Sequence, residues 1–310
     1  MTQEQGTYHV PVMRDACLDG LSIRPDGTYV DVTFGGGGHT RAILDRLGPN
    51  GRVFGFDQDP DAAANVPDDS RFTLIPENFR FIRNFLRMAG VREVDGVLAD
   101  LGVSSHQFDA AERGFSTRGD APLDMRMNPR AGQSAGDWLA TVEFAELAST
   151  LRLYGEVQRP DKAAHVILRM RDEGGVRTTG ELATGLAHLA PRGKENKFLA
   201  QVFQALRIVV NDELAALREM LDATAVLLPE GGRLVVMSYH SLEDRLVKHF
   251  MRSGNFEDEV ERDLKGAART PFKPLNRKAI VADAVELQAN PRSRSARLRI
   301  AERTEIPAGR

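Results

Sequence analysis

Short apolar runs alternate with longer amphipathic stretches in the first hundred residues. The runs are rich in β-branched residues and predict four strands, at 28–34, 52–57, 71–75 and 94–100. Residues 39–47 and 78–88 place apolar side chains three or four positions apart, as an amphipathic helix does. Strands that alternate with helices are typical of a parallel, doubly wound α/β sheet.

The strand pattern stops after residue 107 and resumes near residue 212. Polar residues fill 109–136, and helical spacing then predicts helices at 137–150, 159–170, 179–189 and from about 198. Further along, the pattern predicts a helix at 214–228, a strand at 233–238, a helix at 242–251 and a last strand at 295–302. We therefore predict a sheet domain split in sequence, 1–107 with 212–310, around an inserted helical domain at 108–211.

Composition narrows the class of protein. The 310 residues are 42% hydrophobic and 27% charged, which suits a globular chain of about two domains. One cysteine, Cys17, excludes an intramolecular disulfide and a multi-cysteine metal site, so a reducing, cytoplasmic location is expected.

No stretch approaches the roughly 20 apolar residues of a membrane span, and no secretory signal is recognisable. A net charge of −3 means that any nucleic-acid binding would depend on a local patch.

Four consecutive glycines at 35–38 lie between the first strand and the helix that starts at 39. Side chains there would block a ligand from the backbone N–H groups and from the positive end of the helix. We predict a nucleotide-like ligand, with a merely flexible turn as the alternative. The spacing does not match G-x-G-x-x-G, which disfavours NAD.

Two acidic residues end predicted strands. Asp57 lies twenty residues after Gly37, where a carboxylate accepts both hydroxyl hydrogens of a ribose. Helix capping is the alternative, but Asp59, just before Pro60, suits that role better. Asp100 ends the fourth strand, at the edge where open α/β sheets bind ligands, although an aspartate there also forms turns.

Several longer motifs occur in order along nearly the whole chain: HVPV at 9–12, DVTFGGGGH at 31–39, DLGVSS at 100–105, ERGFS at 112–116, PLDMRM at 122–127, FQALRIVVNDEL at 203–214, GGRL at 231–234, SYHSLEDR at 238–245 and NPRSRS at 290–295. Together they resemble the bacterial ribosomal RNA small-subunit methyltransferase H family, formerly called MraW. The resemblance implies a Rossmann-like class I S-adenosylmethionine-dependent methyltransferase sheet with an inserted helical domain. It also implies methylation of the N4 atom of a cytidine in the decoding region of 16S rRNA. The expected partner is 16S rRNA within the small ribosomal subunit, and naked RNA stays open as the alternative substrate.

The resemblance further implies a set of cofactor contacts: Gly37, Gly38, His39, Asp57, Phe79, Asp100 and Gln107. Departures from the family pattern, such as Gly36 where a larger residue is common, remove none of these groups. The apolar pattern alone would place Phe79 in the core.

Catalysis requires alignment of donor and acceptor and exclusion of water, without a metal or a covalent intermediate. The lone pair of the cytosine N4 amine is delocalised into the ring, so a hydrogen-bond acceptor near N4–H promotes rehybridisation. Asp100 is the candidate acceptor. Tyr239, at the end of a neighbouring strand, is the candidate aromatic partner of the base.

Residues 262–299 carry ten Lys/Arg against three Asp/Glu. Phosphate contact is the functional interpretation, with Arg292, Arg294 and Arg297 as the predicted RNA contacts, and a solvated loop is the alternative. Two other functions stay open: a methyltransferase acting on protein or a small metabolite, and a cofactor-binding protein without catalysis. The oligomeric state is also open, with a homodimer as one alternative.

Overall fold

The computed structural model describes residues 11–263, 265–266 and 268–305, so the first two residues of the HVPV motif lie outside it. The chain divides into two compact units, 1–102 with 215–310 and 103–214. The first boundary precedes the one expected from the strand pattern, because the helix at Ser105–Asp109 belongs to the second unit.

The first unit is built on a sheet of seven strands within the described residues. In chain order these are β1 Thr28–Asp31, β2 Arg52–Phe56, β3 Phe72–Ile75, β4 Gly96–Asp100, β5 Arg233–Ser238, β6 Phe272–Pro274 and β7 Arg297–Arg303. They lie in the order β3-β2-β1-β4-β5-β7-β6. Strands β1 to β5 pair in parallel, and β7 is antiparallel to both β5 and β6. The predicted α/β fold class is confirmed.

The strand order reverses between β1 and β4. β1 pairs with β2 on one side and with β4 on the other, so successive crossovers leave in opposite directions. In register, Asp31 lies opposite Gly55 and Leu98, and Asp100 lies opposite Met237. The carboxyl ends of these strands therefore form one edge, and open α/β sheets bind ligands at such a reversal.

Helices flank the sheet and build the second unit. In chain order they are α1 Arg14–Leu21, α2 Gly38–Leu44, α3 Ile82–Met88, α4 Ser105–Asp109, α5 Ala135–Thr141, α6 Phe144–Leu153, α7 Pro160–Glu173, α8 Thr179–Leu186, α9 Glu195–Asn211, α10 Glu213–Leu227, α11 Ser241–Ser253 and α12 Ala284–Ala289. In the first unit, α1 packs on β4 and β5, and α11 packs on β5 and β7. No described helix has the length and apolar character that crossing a membrane requires.

Each unit has its own apolar core. In the first unit, α1, α2 and the strands bury a common cluster that includes Leu18, Ile43, Val53, Leu98 and Val235. Full burial of one such side chain stabilises the fold by roughly 1.5–3 kcal/mol. The apolar runs from which the strands were predicted are therefore the residues that hold the sheet to its helices.

The second unit buries a separate cluster drawn from α5 to α9. The helix predicted at 137–150 is wrong as a single element, because Val142 and Glu143 adopt extended backbone between α5 and α6. Leu139 and Leu147 are both fully buried in the same core. The apolar spacing thus continues across the break, and spacing alone cannot reveal it.

Candidate functional site

The glycine loop, residues 35–38, forms a tight turn between β1 and α2. Gly35 and Gly37 have φ values of 49° and 73°, a region that favours glycine. The Gly37 N–H donates to the Phe34 carbonyl at 2.7 Å. A Cβ added to Gly37 would lie 2.9 Å from the Phe34 ring, whereas one added to Gly36 would meet nothing within 4 Å. Backbone geometry thus explains Gly35 and Gly37 but does not require glycine at 36.

Asp57 follows β2 and holds the glycine loop. One carboxylate oxygen accepts the Gly35 N–H at 2.7 Å, and the other accepts the Asp59 N–H at 2.8 Å. A carboxylate oxygen can accept a second hydrogen bond, so both oxygens keep capacity for hydroxyl donors. Burial raises the pKa of Asp57 to about 6, although the two backbone N–H groups oppose this. Asp59 caps the 3₁₀ helix Pro60–Asn65, accepting the Asp61 N–H.

Phe79 lies beside the same segment. The Asn78 side chain donates to the Gln58 side chain at 3.0 Å, which joins the chain after β3 to the residue after Asp57. Phe79 is half-buried, whereas Ile82 and Leu86 are fully buried. The apolar pattern is therefore wrong in placing Phe79 in the core.

Asp100, at the end of β4, has partners on three other segments. Its N–H donates to Thr33 Oγ1 at 2.7 Å, and its Oδ1 accepts the Tyr239 hydroxyl at 2.8 Å. Its Oδ2 lies 3.6 Å from His39 Nε2. The Asp100 side chain is 22% exposed, so the carboxylate is oriented by the protein and still open to a ligand.

Burial and neighbouring charges shift the pKa values of three residues around Asp100: His39, Tyr239 and Asp31. Burial lowers the pKa of His39, but the carboxylates of Asp100 and Asp31 outweigh it, and the pKa of His39 is raised. Burial and Asp100 raise the pKa of Tyr239 far above its ordinary value, so its hydroxyl stays a donor. Burial also raises the pKa of Asp31, which accepts the Thr40 hydroxyl at 2.8 Å. Both ring nitrogens of His39 are buried and have no hydrogen-bond partner among the described residues.

Gln107 lies in the second unit, in the first turn of α4. Its side-chain oxygen accepts the Ser104 N–H at 3.0 Å, and its own N–H donates to Ser104 Oγ at 3.1 Å. This capping box fixes the start of α4 and buries Gln107. The other predicted cofactor residues all lie in the first unit.

The predicted RNA contacts lie on the surface of the first unit. Arg292 and Arg294 are exposed on the 3₁₀ turn Pro291–Ser295, and Arg297 is exposed at the start of β7. Arg299, in the same basic segment, is instead buried and donates to both oxygens of Asp244, at 2.7 and 3.1 Å. Part of the local positive charge therefore joins β7 to α11 and does not face solvent.

The family model described as the MraW methylase family matches residues 6–304. This chain belongs to the MraW methylase family. Relatives with the name Ribosomal RNA small subunit methyltransferase H include one from Parabacteroides distasonis, 55% identical over 98% of this chain and 100% of the relative. Another, from Bacteroides thetaiotaomicron, is 54% identical over 98% and 100%. The family predicted from the motifs is confirmed.

Solved structures similar to this MraW-family chain include a putative rRNA-methylase from Clostridium thermocellum, with a TM-score of 0.44, 15% identity, and coverage of 96% of this chain and 99% of that one. A putative methyltransferase from Streptococcus mutans, in complex with SAH, gives a TM-score of 0.45, 11% identity, and coverage of 95% and 99%.

Membership of a methylase family confirms the predicted cofactor, S-adenosylmethionine. The edge residues fit such a molecule chemically, since it carries ribose hydroxyls, a cationic sulfonium and an amino-acid end. Asp57 offers acceptors for hydroxyls, and the partly exposed carboxylate of Asp100 favours a cation. His39 Nδ1 is a buried polar atom without a hydrogen-bond partner among the described residues, and a ligand would satisfy it.

Proposed function

We propose that this protein transfers a methyl group from S-adenosylmethionine to the N4 atom of a cytidine in the decoding region of 16S rRNA. The names of its relatives support small-subunit rRNA as the substrate. The observation that supports amine methylation is the Asp100 carboxylate, oriented by Tyr239 and partly exposed at the carboxyl end of β4.

The first unit would hold the cofactor through the predicted residues. Gly37, Gly38 and His39 would bind at the start of α2, Asp57 would accept the ribose hydroxyls, and Phe79 would contact the cofactor from the chain after β3. When bound, S-adenosylmethionine supplies an electrophilic methyl group on a sulfonium sulfur. We place Gln107 at the same cofactor on the strength of the family motif.

Asp100 would accept a hydrogen bond from N4–H of the cytosine. This interaction would shift electron density onto N4, which attacks in line so that the N4–C bond forms as the bond between the methyl carbon and the sulfonium sulfur breaks. The proton that N4 loses would pass to the Asp100 carboxylate. Tyr239 donates its hydroxyl hydrogen to Asp100 Oδ1, so it fixes the carboxylate and brings its own ring to the end of β5, where it would contact the base. Asp100, at the end of β4, and Tyr239, after the adjacent β5, would thus orient the cytosine base together.

RNA binding would draw on exposed cations of the first unit. Arg292, Arg294 and Arg297 would contact phosphates, which position a substrate without reading its sequence. Arg299 is excluded from this role because it is buried against Asp244, whereas Arg297, which also lies 3.5 Å from Asp244, keeps an exposed side chain. We assign substrate recognition to the helical unit, residues 103–214.

Methyl-transfer assays with tritiated S-adenosylmethionine test the proposal. Separate reactions contain 30S subunits, free 16S rRNA, protein extract or a metabolite pool, and mass spectrometry of digested RNA identifies the modified nucleoside. We expect label in 16S rRNA or in 30S subunits, as N4-methylcytidine, and none with Asp100→Ala. Label in protein or metabolites, or on another atom of the nucleoside, would overturn the assignment.

A further inference from the structure

We propose that Arg41 and Asn65 are positioning residues of the cofactor site, which act by fixing the carbonyl groups of the glycine loop. Neither residue contacts the reacting atoms in this scheme. The inference rests on the proposed binding of S-adenosylmethionine to the loop, and it is independent of the identity of the methyl acceptor.

Arg41, on α2, reaches back over the loop. One guanidinium nitrogen donates to the Gly36 carbonyl at 2.6 Å, and another donates to the Asn65 carbonyl at 2.6 Å. Because both bonds come from one planar charged group, they hold the two carbonyls at a set separation. Arg41 therefore ties the glycine loop to the end of the 3₁₀ helix Pro60–Asn65.

Asn65 also binds the glycine loop directly, so Arg41, Asn65 and the loop form one closed circuit, that is, a ring of hydrogen bonds. Its side-chain amide donates to the Gly35 carbonyl at 3.0 Å. The N–H of the same Gly35 donates to Asp57. Asp57 also accepts the N–H of Asp59, and Asp59 caps the start of the same 3₁₀ helix. The loop and the segment after β2 are thus joined at both ends of the 3₁₀ helix.

The physical reason for such a tether lies in the composition of the loop. Glycine loses more backbone freedom on ordering than any other residue, so four in a row are costly to hold in one conformation. If the tether orders them in the free protein, the cofactor does not bear that cost on binding. Arg41 and Asn65 would then raise affinity without taking part in the chemical step.

Calorimetry with the full chain and S-adenosylmethionine tests the proposal without RNA. We expect Arg41→Ala and Asn65→Ala each to raise Kd about tenfold, which corresponds to the net effect of removing one or two hydrogen bonds. Methylation kcat at saturating cofactor should stay within about twofold of the parent, because only ground-state binding is weakened. Arg41→Lys, which keeps the charge and can reach one carbonyl, should restore part of the affinity.

The double variant and a matched control separate positioning from a general loss of stability. Arg41→Ala with Asn65→Ala should raise Kd by less than the product of the single effects, since both act through one circuit. Arg46→Ala removes an exposed arginine of the same region and should leave Kd unchanged. An unchanged Kd in the folded Arg41 and Asn65 variants, or a loss of kcat at saturating cofactor, would overturn the proposal that these two residues position the glycine loop for cofactor binding. A parent chain that does not bind S-adenosylmethionine overturns the cofactor assignment itself.

Discussion

Asp57 and Asp100 occupy similar places at the ends of parallel strands but have different hydrogen-bond partners. Asp57 accepts two backbone N–H groups, whereas Asp100 accepts a tyrosine hydroxyl and lies beside a histidine. Backbone donors hold a carboxylate as part of the scaffold, and side-chain donors orient it towards a ligand. We therefore expect substitutions at the two positions to change different kinetic quantities.

Cofactor affinity should fall at acid pH because of Asp57. The pKa of this carboxyl is about 6 in the free protein against 3.8 ordinarily, so the free protein binds this proton more tightly than the unfolded chain does. The stability that the protonated form contributes is lost as pH rises from about 4 to 6. Ribose hydroxyls favour the ionised form, so affinity rises over the same interval and falls about tenfold per pH unit well below pH 6.

Calorimetry between pH 4.5 and 8 measures this dependence. Asp57→Asn provides the control, because its side chain cannot ionise, and this variant should bind weakly with a flatter profile. The nearby carboxylates raise the pKa of His39 above its ordinary value, and any slope that persists in the Asp57→Asn variant reports on a group other than Asp57, with His39 as the candidate. A parent profile as flat as that of the variant would contradict the ribose role of Asp57.

Asp100 and Tyr239 should affect the chemical step. With saturating cofactor and RNA, Asp100→Asn should lower kcat by roughly 10²–10⁴-fold, the range typical of a residue that assists proton movement in the transition state. Tyr239→Phe removes the 2.8 Å hydrogen bond but keeps the ring, so a smaller loss is expected. Full recovery of the Asp100→Asn rate at high cofactor concentration would make Asp100 a binding residue only.

Gly37 and Gly36 form a matched pair of test positions. Gly37→Ala places a Cβ at φ 73°, 2.8 Å from the Arg41 guanidinium, so it should weaken cofactor binding and lower the melting temperature. Gly36→Ala adds a methyl group in open space and should alter neither quantity. Equal behaviour of the two variants would show that the turn does not need the observed backbone conformation.

Some site residues were predictable one by one, and others were not. Asp57 and Asp100 follow apolar runs, and their place at a strand end is visible in the sequence. Asn65 and Thr33 form hydrogen bonds to residues that are distant in sequence, Gly35 and Asp100, and Arg41 joins nearby Gly36 to distant Asn65. Neither spacing nor composition signals such bonds, because an arginine or asparagine on a polar helix face looks solvated.

Secondary structure elements were predictable in proportion to the apolar surface they bury. β1 to β5 are apolar runs with mostly buried side chains, and all five were predicted. By contrast, β6 has three residues, one of them Pro274, and α12 buries none of its side chains. Such elements depend on pairing and docking partners, and they leave little periodic pattern.

The basic segment before and in β7 should contribute to RNA affinity. Replacing Arg292, Arg294 and Arg297 by Ala should reduce the slope of log affinity against log salt by about one unit for each phosphate that the protein no longer neutralises. Fluorescence anisotropy with labelled rRNA fragments at several salt concentrations measures the slope. Cofactor affinity should be unchanged.

Two comparisons make this test selective. A triple variant at Arg46, Arg87 and Arg92, all at the surface of the first unit, removes equal charge elsewhere and should change the slope less. Thermal denaturation checks whether Arg297→Ala disturbs β7. An unaltered slope in the folded variant at 292, 294 and 297 would rule out this segment and direct attention to the basic residues of the second unit.

At the scale of the whole molecule, each unit has an apolar cluster of its own, and within the described residues these two clusters share no residues. The cluster of the first unit draws on α1, α2 and the sheet, and the cluster of the second unit draws on residues between 103 and 210. A segment with its own core and its own capped helices has the features of an independent folding unit. Insertion between β4 and β5 leaves the sheet order intact, because the chain returns beside the strand it left.

We therefore expect residues 103–214 to fold when expressed alone. Circular dichroism should show a helical spectrum with a cooperative thermal transition, and calorimetry should show no binding of S-adenosylmethionine, since the glycine loop and Asp57 are absent. A broad, non-cooperative transition would mean that the helical unit requires the sheet for its tertiary structure.

The position of β7 has a consequence for biosynthesis. Last of the strands in chain order, it lies between β5 and β6, and β6 has no other strand partner in the described sheet. During translation, β5 would present an unpaired edge until residues 297–303 emerge, and open edges invite intermolecular pairing. A premature stop codon before residue 297 would thus yield a chain whose β5 edge stays unpaired, and we expect such a chain to aggregate or to be degraded. In a chain that includes residues 297–303, β7 pairs with β5 and covers this edge.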